Sequence, residues 1–281
     1  MPYYTVGGAA ELGQNFLVDP TVITTIVGLV ARTSGPVVEI GAGAGALTLP
    51  LARTGRLITA VEIHPALVSR LRRRAPTNVT VVCADFLRWR PPTHPYTLVG
   101  NLPFHLTTAL LRRILASDHW RQAVLLVQWE VARRRAGVGG ASLLTSAWWP
   151  WYEFRLHARV PARAFRPVPG VDGGLLTITR RGQPLVTDRA GYQTFVRSVF
   201  TGRGRGLPAI LARTGRFDPV RLREWLRRHR IDARTLPSQL DAEQWAELWR
   251  LAASGQRPRM PSPIPGQSRP RPAVRARRRT R

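Results

Sequence analysis

Apolar and polar positions alternate along this chain in two rhythms. Val37-Val38-Glu39-Ile40, Leu57 to Val61, Val79 to Val82, Tyr96 to Val99 and Ala123 to Val127 are short apolar runs of strand length. Between them the spacing turns helical. Asp19-Pro20 reads as a helix start with proline in the first turn, followed by Ile23, Ile26, Val27 and Val30. Further helices are expected over Ala46 to Arg53, from His64-Pro65 to about Arg74, and over Thr107 to Leu115. Strands alternating with helices through short connections predict a parallel, doubly wound α/β sheet.

Beyond the fifth strand the pattern changes. Tyr152 to Val160 and Leu175 to Arg180 read as antiparallel strands flanking a loop, Phe165 to Gly174. From about Pro184 only amphipathic helices are expected: Gln193 to Phe200, Val220 to Arg228 and Ala242 to Ala252. The predicted organisation is a flexible N-terminus (1–12), a catalytic α/β domain (13–182), a small helical domain (183–255) and a disordered Arg/Pro-rich tail (256–281). That tail holds nine arginines and no acid, a composition that cannot bury enough apolar surface to order itself.

Charge narrows the partner. There are 43 basic against 16 acidic residues, a formal +27, and all of the basic ones are arginine. GC-rich codons account for arginine over lysine but not for the surplus over acids. The surplus favours a polyanion, and the guanidinium fork suits phosphate. Arg133-Arg134-Arg135, Arg203 and Arg205 are the candidate phosphate contacts; a solvated charge run is the other reading of each. Cys83 is the only cysteine, so no internal disulfide forms and a reducing cytoplasm is the default. The scattered histidines have no ligand spacing, so no metal is expected, and no apolar run approaches membrane-span length.

The candidate chemistry gathers at one edge. Gly41, Glu62, Asp85 and Asn101 each fall just past the carboxyl end of a predicted strand, where open α/β sheets bind ligands. Glu39-x-Gly41-x-Gly43-x-Gly45 is a glycine-rich turn that a methyl-donor site, a dinucleotide site or a purely structural turn could each use. Glu62 sits where an acid grips ribose hydroxyls, and Asp85 where one accepts from an adenine amino group; Asp85 would equally serve as a turn residue. Asn101-Leu102-Pro103-Phe104 separates the cofactor classes. The Asn101 side-chain oxygen and the Leu102 carbonyl are two acceptors for an exocyclic amino group, and Phe104 is a ring on which its base can stack. Phe165 could be a second stacking face or a core aromatic beside a proline-rich loop. Trp148, Trp149 and Trp151 with Tyr152 read as packing rather than as RNA contacts.

These motifs, in the order Gly13-Gln14-Asn15-Phe16-Leu17, Glu39 to Gly43, Glu62, Asp85, Asn101 to Phe104, then Phe165-x-Pro-x-Pro-x-Val-Asp, resemble the ribosomal RNA adenine-N6 methyltransferases. Within that group they look most like the erythromycin-resistance (Erm) methyltransferases of actinobacteria. The resemblance implies a Rossmann-like class I fold that binds S-adenosylmethionine. It implies methylation of one adenine of 23S ribosomal RNA and resistance to macrolides, lincosamides and streptogramin B. By motif match Gln14, Asn15, Phe16, Leu17, Gly41, Gly43, Glu62, Ile63, Asp85, Phe86 and Asn101 would line the cofactor. Asn101, Leu102, Phe104 and Phe165 would hold the base. Two positions depart from the pattern: Phe104 replaces a tyrosine, and Trp129 stands where a basic residue is usual, which puts an RNA contact there in question. The expected protein is a cytoplasmic monomer. The rival readings are the housekeeping dimethylase of small-subunit RNA, a DNA adenine methylase, and a non-catalytic binding protein on the same fold.

Overall fold

Val-Val-Glu-Ile at 37–40 is buried at all of its positions, as an unalternating run in the middle of a sheet must be. The computed structural model describes residues 15–255. The expected N-terminal segment and the arginine-rich tail lie outside the described residues. In chain order the elements are β1 (Phe16–Leu17), α1 (Pro20–Ala31), β2 (Val37–Ile40), α2 (Thr48–Ala52), β3 (Ile58–Glu62), α3 (Pro65–Arg72), β4 (Val79–Cys83), β5 (Tyr96–Asn101), α4 (Thr107–Ala116), β6 (Trp120–Gln128), α5 (Trp129–Arg135), α6 (Leu143–Trp148), β7 (Tyr152–Val160), β8 (Phe165–Arg166), β9 (Gly173–Arg180), α7 (Arg189–Phe200), α8 (Leu207–Arg213), α9 (Pro219–Arg228) and α10 (Ala242–Gly255).

Seven strands form one sheet in the order β4-β3-β2-β5-β6-β9-β7. β2 pairs in parallel with β3 on one side and β5 on the other, so the winding reverses between β2 and β5. That reversal is the switch point where such sheets bind ligands. β9 alone runs against the direction of the other six strands, inserted between β6 and β7. The two strands expected to form an antiparallel pair therefore complete the main sheet. A second sheet joins β1 to β8, with Phe16 opposite Arg166 and Leu17 opposite Phe165.

Helix signals were well placed. Asp19 caps α1 by accepting from the N–H groups of Thr21 and Val22, with Pro20 behind it. Asp188 caps α7 in the same manner, which extends that helix four residues before the expected start at Gln193. Three short helices, α5, α6 and α8, were not anticipated. α5 follows β6 without a break, and each of the three is too short for a repeat of the apolar spacing to show.

The helical segment shares the core of the sheet. One buried cluster runs from Val38, Leu98 and Leu125 through Trp151 and Tyr192 to Trp245 and Leu248. Trp151 meets Tyr192 edge-on at 5.5 Å, and Trp120 stacks on Tyr152 at 4.9 Å. The tryptophan group is thus packing, and it locks α7 and α10 onto the catalytic layer.

Candidate active site

The carboxyl ends of β2, β3, β4 and β5 surround one cleft lined by Gly41, Glu62, Asp85, Asn101 and Phe104, with Phe16 over its entrance. After β2 the chain turns through Gly41 (φ 68°) and Gly43 (φ 56°), conformations that only glycine adopts without strain. A Cβ on Gly43 would lie 3.3 Å from the Phe16 ring, so the bare backbone lets β1 close over the turn. Glu62 is buried at the floor. Its Oε2 accepts from the Gly43 N–H at 2.8 Å and its Oε1 from the His64 N–H at 2.9 Å. Both oxygens keep a free lone pair for a ligand hydroxyl.

Glu39, buried on β2 two residues before Gly41, accepts from the Thr48 hydroxyl at 2.6 Å. Burial pushes its carboxyl up to about 8, and the Glu62 charge adds to the effect. Glu39 is therefore neutral at pH 7 and braces the start of α2 against the glycine turn. Asp85 serves its loop as well as the cleft, because its Oδ1 accepts from the Leu87 N–H at 2.9 Å. Ile63 and Phe86 line the same cleft, Ile63 on its exposed side.

Asn101 ends β5. Its Nδ2 donates to the Asn15 carbonyl at 2.7 Å, which ties the amide to the strand covering the cleft. The Leu102 N–H donates to the Leu126 carbonyl at 2.9 Å and anchors the turn to β6. Among the described residues no donor reaches Asn101 Oδ1 or the Leu102 carbonyl. Both acceptors are thus without a donor among the described residues, while the Asn101 amide nitrogen and the Leu102 N–H are hydrogen-bonded.

Leu17 is buried, pairs with Phe165 and lines the space beside the glycine turn together with Gly41 and Gly43. Gln14 lies outside the described residues. Two expectations are corrected. Phe165 is fully enclosed, 0% exposed, and meets Phe104 edge-on at 6.1 Å and 71°. The enclosed ring presents no open second face to a base, so of the two readings Phe165 is the core aromatic. Arg135 is 8% exposed and donates to the Ser142 hydroxyl, so it faces inward and is not a surface RNA contact. Burial pushes it down to about 10, with Arg112 and Arg134 adding repulsion. Arg134, Arg203 and Arg205 are exposed, and Arg133 is half-buried against Glu130 at 3.3 Å. Among the described residues no group of acidic, histidine or cysteine side chains could hold a metal ion. Sequence reasoning missed the Thr48 brace and the Asn15 carbonyl. It also gave no role to Asp172, whose Oδ1 accepts from the Ala162 N–H at 2.8 Å and whose Oδ2 accepts from Arg159 Nε at 2.7 Å.

Comparison with known proteins agrees with this geometry. The "mycinamicin-resistance protein MyrB" of Micromonospora griseorubida is 53% identical over 249 residues, 88% of this chain and 79% of that protein. An "rRNA adenine N-6-methyltransferase" of Corynebacterium diphtheriae is 51% identical over 216 residues, 76% of this chain and 85% of its own length. The crystal structure of the 23S rRNA methyltransferase ErmE superposes with a TM-score of 0.79 at 33% identity, covering 85% of this chain and 100% of that one. The family model described as ribosomal RNA adenine dimethylase matches residues 8–254, a span holding both the glycine-turn cleft and the Asn101 acceptors, and the chain belongs to that family.

Proposed function

We propose that this protein transfers a methyl group from S-adenosylmethionine to the N6 amino group of one adenine in 23S ribosomal RNA, and that the modified ribosome resists macrolides, lincosamides and streptogramin B. The observation that carries the reading is the pair of free acceptors, Asn101 Oδ1 and the Leu102 carbonyl, beside the glycine-turn cleft. The family match and the resistance and 23S RNA methylation named for MyrB and ErmE supply the substrate class.

The cleft fits this cofactor. Gly41 and Gly43 leave backbone open to a close approach, Glu62 offers free carboxylate lone pairs, and Ile63 and Phe86 supply apolar walls for an adenine. Asn15, Phe16, Asp85 and the exposed face of Asn101 complete that wall. Bound S-adenosylmethionine supplies an electrophilic methyl group on a sulfonium. The chain's own residues prepare the nucleophile. An adenine amino nitrogen is a weak nucleophile because its lone pair is delocalised into the ring. When Asn101 Oδ1 and the Leu102 carbonyl each accept one of its hydrogens, the nitrogen pyramidalises and the lone pair localises on it. Preorganised acceptors of this kind act by positioning and electrostatics. The nitrogen loses a proton once alkylated, so no strong base is required. Phe104 offers its face to the base, and Phe165 backs it from the core.

Exposed Arg134, Arg203 and Arg205 are assigned to RNA phosphates, with Arg133 shared between Glu130 and the RNA. The chain works as a monomer in the cytoplasm; among the described residues no helix is long and apolar enough to cross a membrane. The helical segment 183–255, packed on the sheet through a shared core, is assigned to RNA binding. The test is transfer of radiolabelled methyl to protein-free 23S and 16S RNA, with the product nucleoside identified by mass spectrometry. N6-methylated adenosine at one position of 23S RNA, with erythromycin protection in a sensitive host, supports the reading. Label confined to 16S RNA replaces it with the housekeeping activity.

A further inference from the structure

Arg159 is an exposed arginine that is nevertheless held in place. Its guanidinium carbon sits over the Trp129 ring, 5.4 Å from the centroid. Its Nε donates to Asp172 Oδ2 at 2.7 Å, yet 61% of the side chain remains exposed. Among the described residues neither Nη nitrogen has a hydrogen-bond partner. Asp172 is itself fixed: its Oδ1 accepts from the Ala162 N–H, and its carbonyl accepts from the Trp129 N–H at 2.9 Å. The Ala162 N–H first, and then Arg159, hold its carboxyl below the usual range.

The platform is built into the sheet. Arg159 lies opposite Gly174 in the β7–β9 register. A Cβ on Gly174 would fall 2.5 Å from the Ala132 Cβ and 3.3 Å from the Trp129 ring. Only a glycine there lets α5 settle on β9 and bring Trp129 under Arg159. The adjacent Gly173 does the same for Phe165, whose ring would be 3.1 Å from an added Cβ. Phe165 and the Arg159–Trp129 stack therefore rest on adjacent residues, one on each face of β9. Trp129 lies three residues past Leu126, whose carbonyl anchors the Asn101 turn, so about 10 Å of chain separates the platform from the base-holding turn.

We infer that Arg159 is an RNA-binding residue that grips a backbone phosphate next to the target nucleotide, with Trp129 and Asp172 as the positioning residues that aim it. This rests on the 23S RNA reading above. An unrestrained arginine gives up side-chain entropy when it binds, and an isolated exposed ion pair contributes little by itself. Here the entropy is already lost, while the two Nη groups project together as the fork that matches two phosphate oxygens. The surroundings favour an anion. Arg163 as well as Arg159 acts on Asp172, and the nearby Glu130 carboxylate, next to Trp129 in the chain, is paired with Arg133.

The experiment compares the full-length parent protein with Arg159→Ala and Asp172→Asn. It reads the 23S RNA dissociation constant at several salt concentrations, methyl transfer, Tm and the S-adenosylmethionine dissociation constant. Arg159→Ala is expected to weaken RNA binding about tenfold near 0.1 M salt. The slope of log K against log salt becomes shallower by about 0.7 to 0.9, the loss of one phosphate contact. Asp172→Asn keeps the cation and loosens its aim, so it retains the parental slope with a smaller rise in dissociation constant. If Arg159→Ala lowers Tm too far to be studied, Arg159→Gln removes the charge with less loss of packing and carries the same expectation. Parental RNA affinity and salt slope in Arg159→Ala, with or without a loss of turnover, overturn the inference and reduce Arg159 to a clasp on the Phe165 loop. A parent that neither binds nor methylates 23S RNA removes the functional reading itself.

Discussion

Asn101 donates its side-chain N–H to the Asn15 carbonyl at 2.7 Å, joining the end of β5 to the segment that covers the cleft. One amide thereby has two jobs. Its nitrogen donates to the Asn15 carbonyl, and in the proposed reaction its oxygen, oriented by that tie, accepts from the base. Asn101→Ala removes both. Turnover at saturating substrates is expected to fall about 10² to 10³-fold, the usual loss when one preorganised hydrogen-bonding group is deleted. The S-adenosylmethionine dissociation constant should rise only a few fold, because the glycine turn and Glu62 are untouched. Single-turnover methyl transfer and calorimetry separate the two effects, and near-parental turnover would refute the role of Asn101.

Phe165 has no spare room. Its ring is 0% exposed and lies against Gly173, Leu126 and the edge of Phe104. A larger ring must push on strand backbone. Phe165→Trp is therefore expected to destabilise the fold by about 1 to 3 kcal/mol, as overpacking does. Phe165→Leu keeps an apolar filler of similar breadth and loses the edge-on ring contact that backs Phe104. It should unfold within a few degrees of the parent while turnover falls at least tenfold. Thermal melts and methyl transfer read the two; parental turnover in Phe165→Leu would mean that the ring serves packing alone.

Much of this was legible in the sequence. Gly41, Glu62, Asp85 and Asn101 were placed at one sheet edge because apolar runs of strand length ended just before each, and the cleft forms there. The β1–β8 pairing was not legible. It joins two-residue strands about 150 positions apart, too short for any period and set only by the packing of Leu17 and Phe165. Nor did composition distinguish Arg135 from its neighbours. Successive helical residues point about 100° apart, so three arginines in a row spread over more than half of the helix circumference, and on a helix packed against a sheet one of them turns inward. The signal was present in Val131, Ala132 and Arg135, which share a helix face at spacings of three and four.

Glu39 gives the molecule a pH dependence of unusual sign. Its carboxyl is protonated in the fold up to about pH 8, but in the unfolded chain it ionises near 4.5. Between those values the native state binds the extra proton, so stability falls as pH rises and levels off above about 8. The size is on the order of a few kcal/mol. Glu39→Gln has no proton to lose and still accepts from Thr48. Compared with the parent it should gain Tm steadily from pH 5 to pH 8.5. Parallel Tm profiles for the two proteins would show that Glu39 is ionised in the fold.

Arg134 and Arg135 are neighbours in sequence with opposite expected phenotypes. Arg134 is exposed on α5. Arg134→Ala should weaken 23S RNA binding and make its salt dependence shallower by one contact, leaving Tm unchanged. Arg135 is buried, and its cation is repelled by Arg112 and Arg134. A buried charge without an ionic partner is costly, and an apolar residue of similar length removes that cost. Arg135→Met is therefore expected to hold or raise Tm and to keep the parental salt slope. Calorimetric melts and filter binding at three salt concentrations decide the matter. A shallower slope in Arg135→Met would mean that this side chain swings out to meet RNA, and an unchanged slope in Arg134→Ala would remove α5 from the RNA interface.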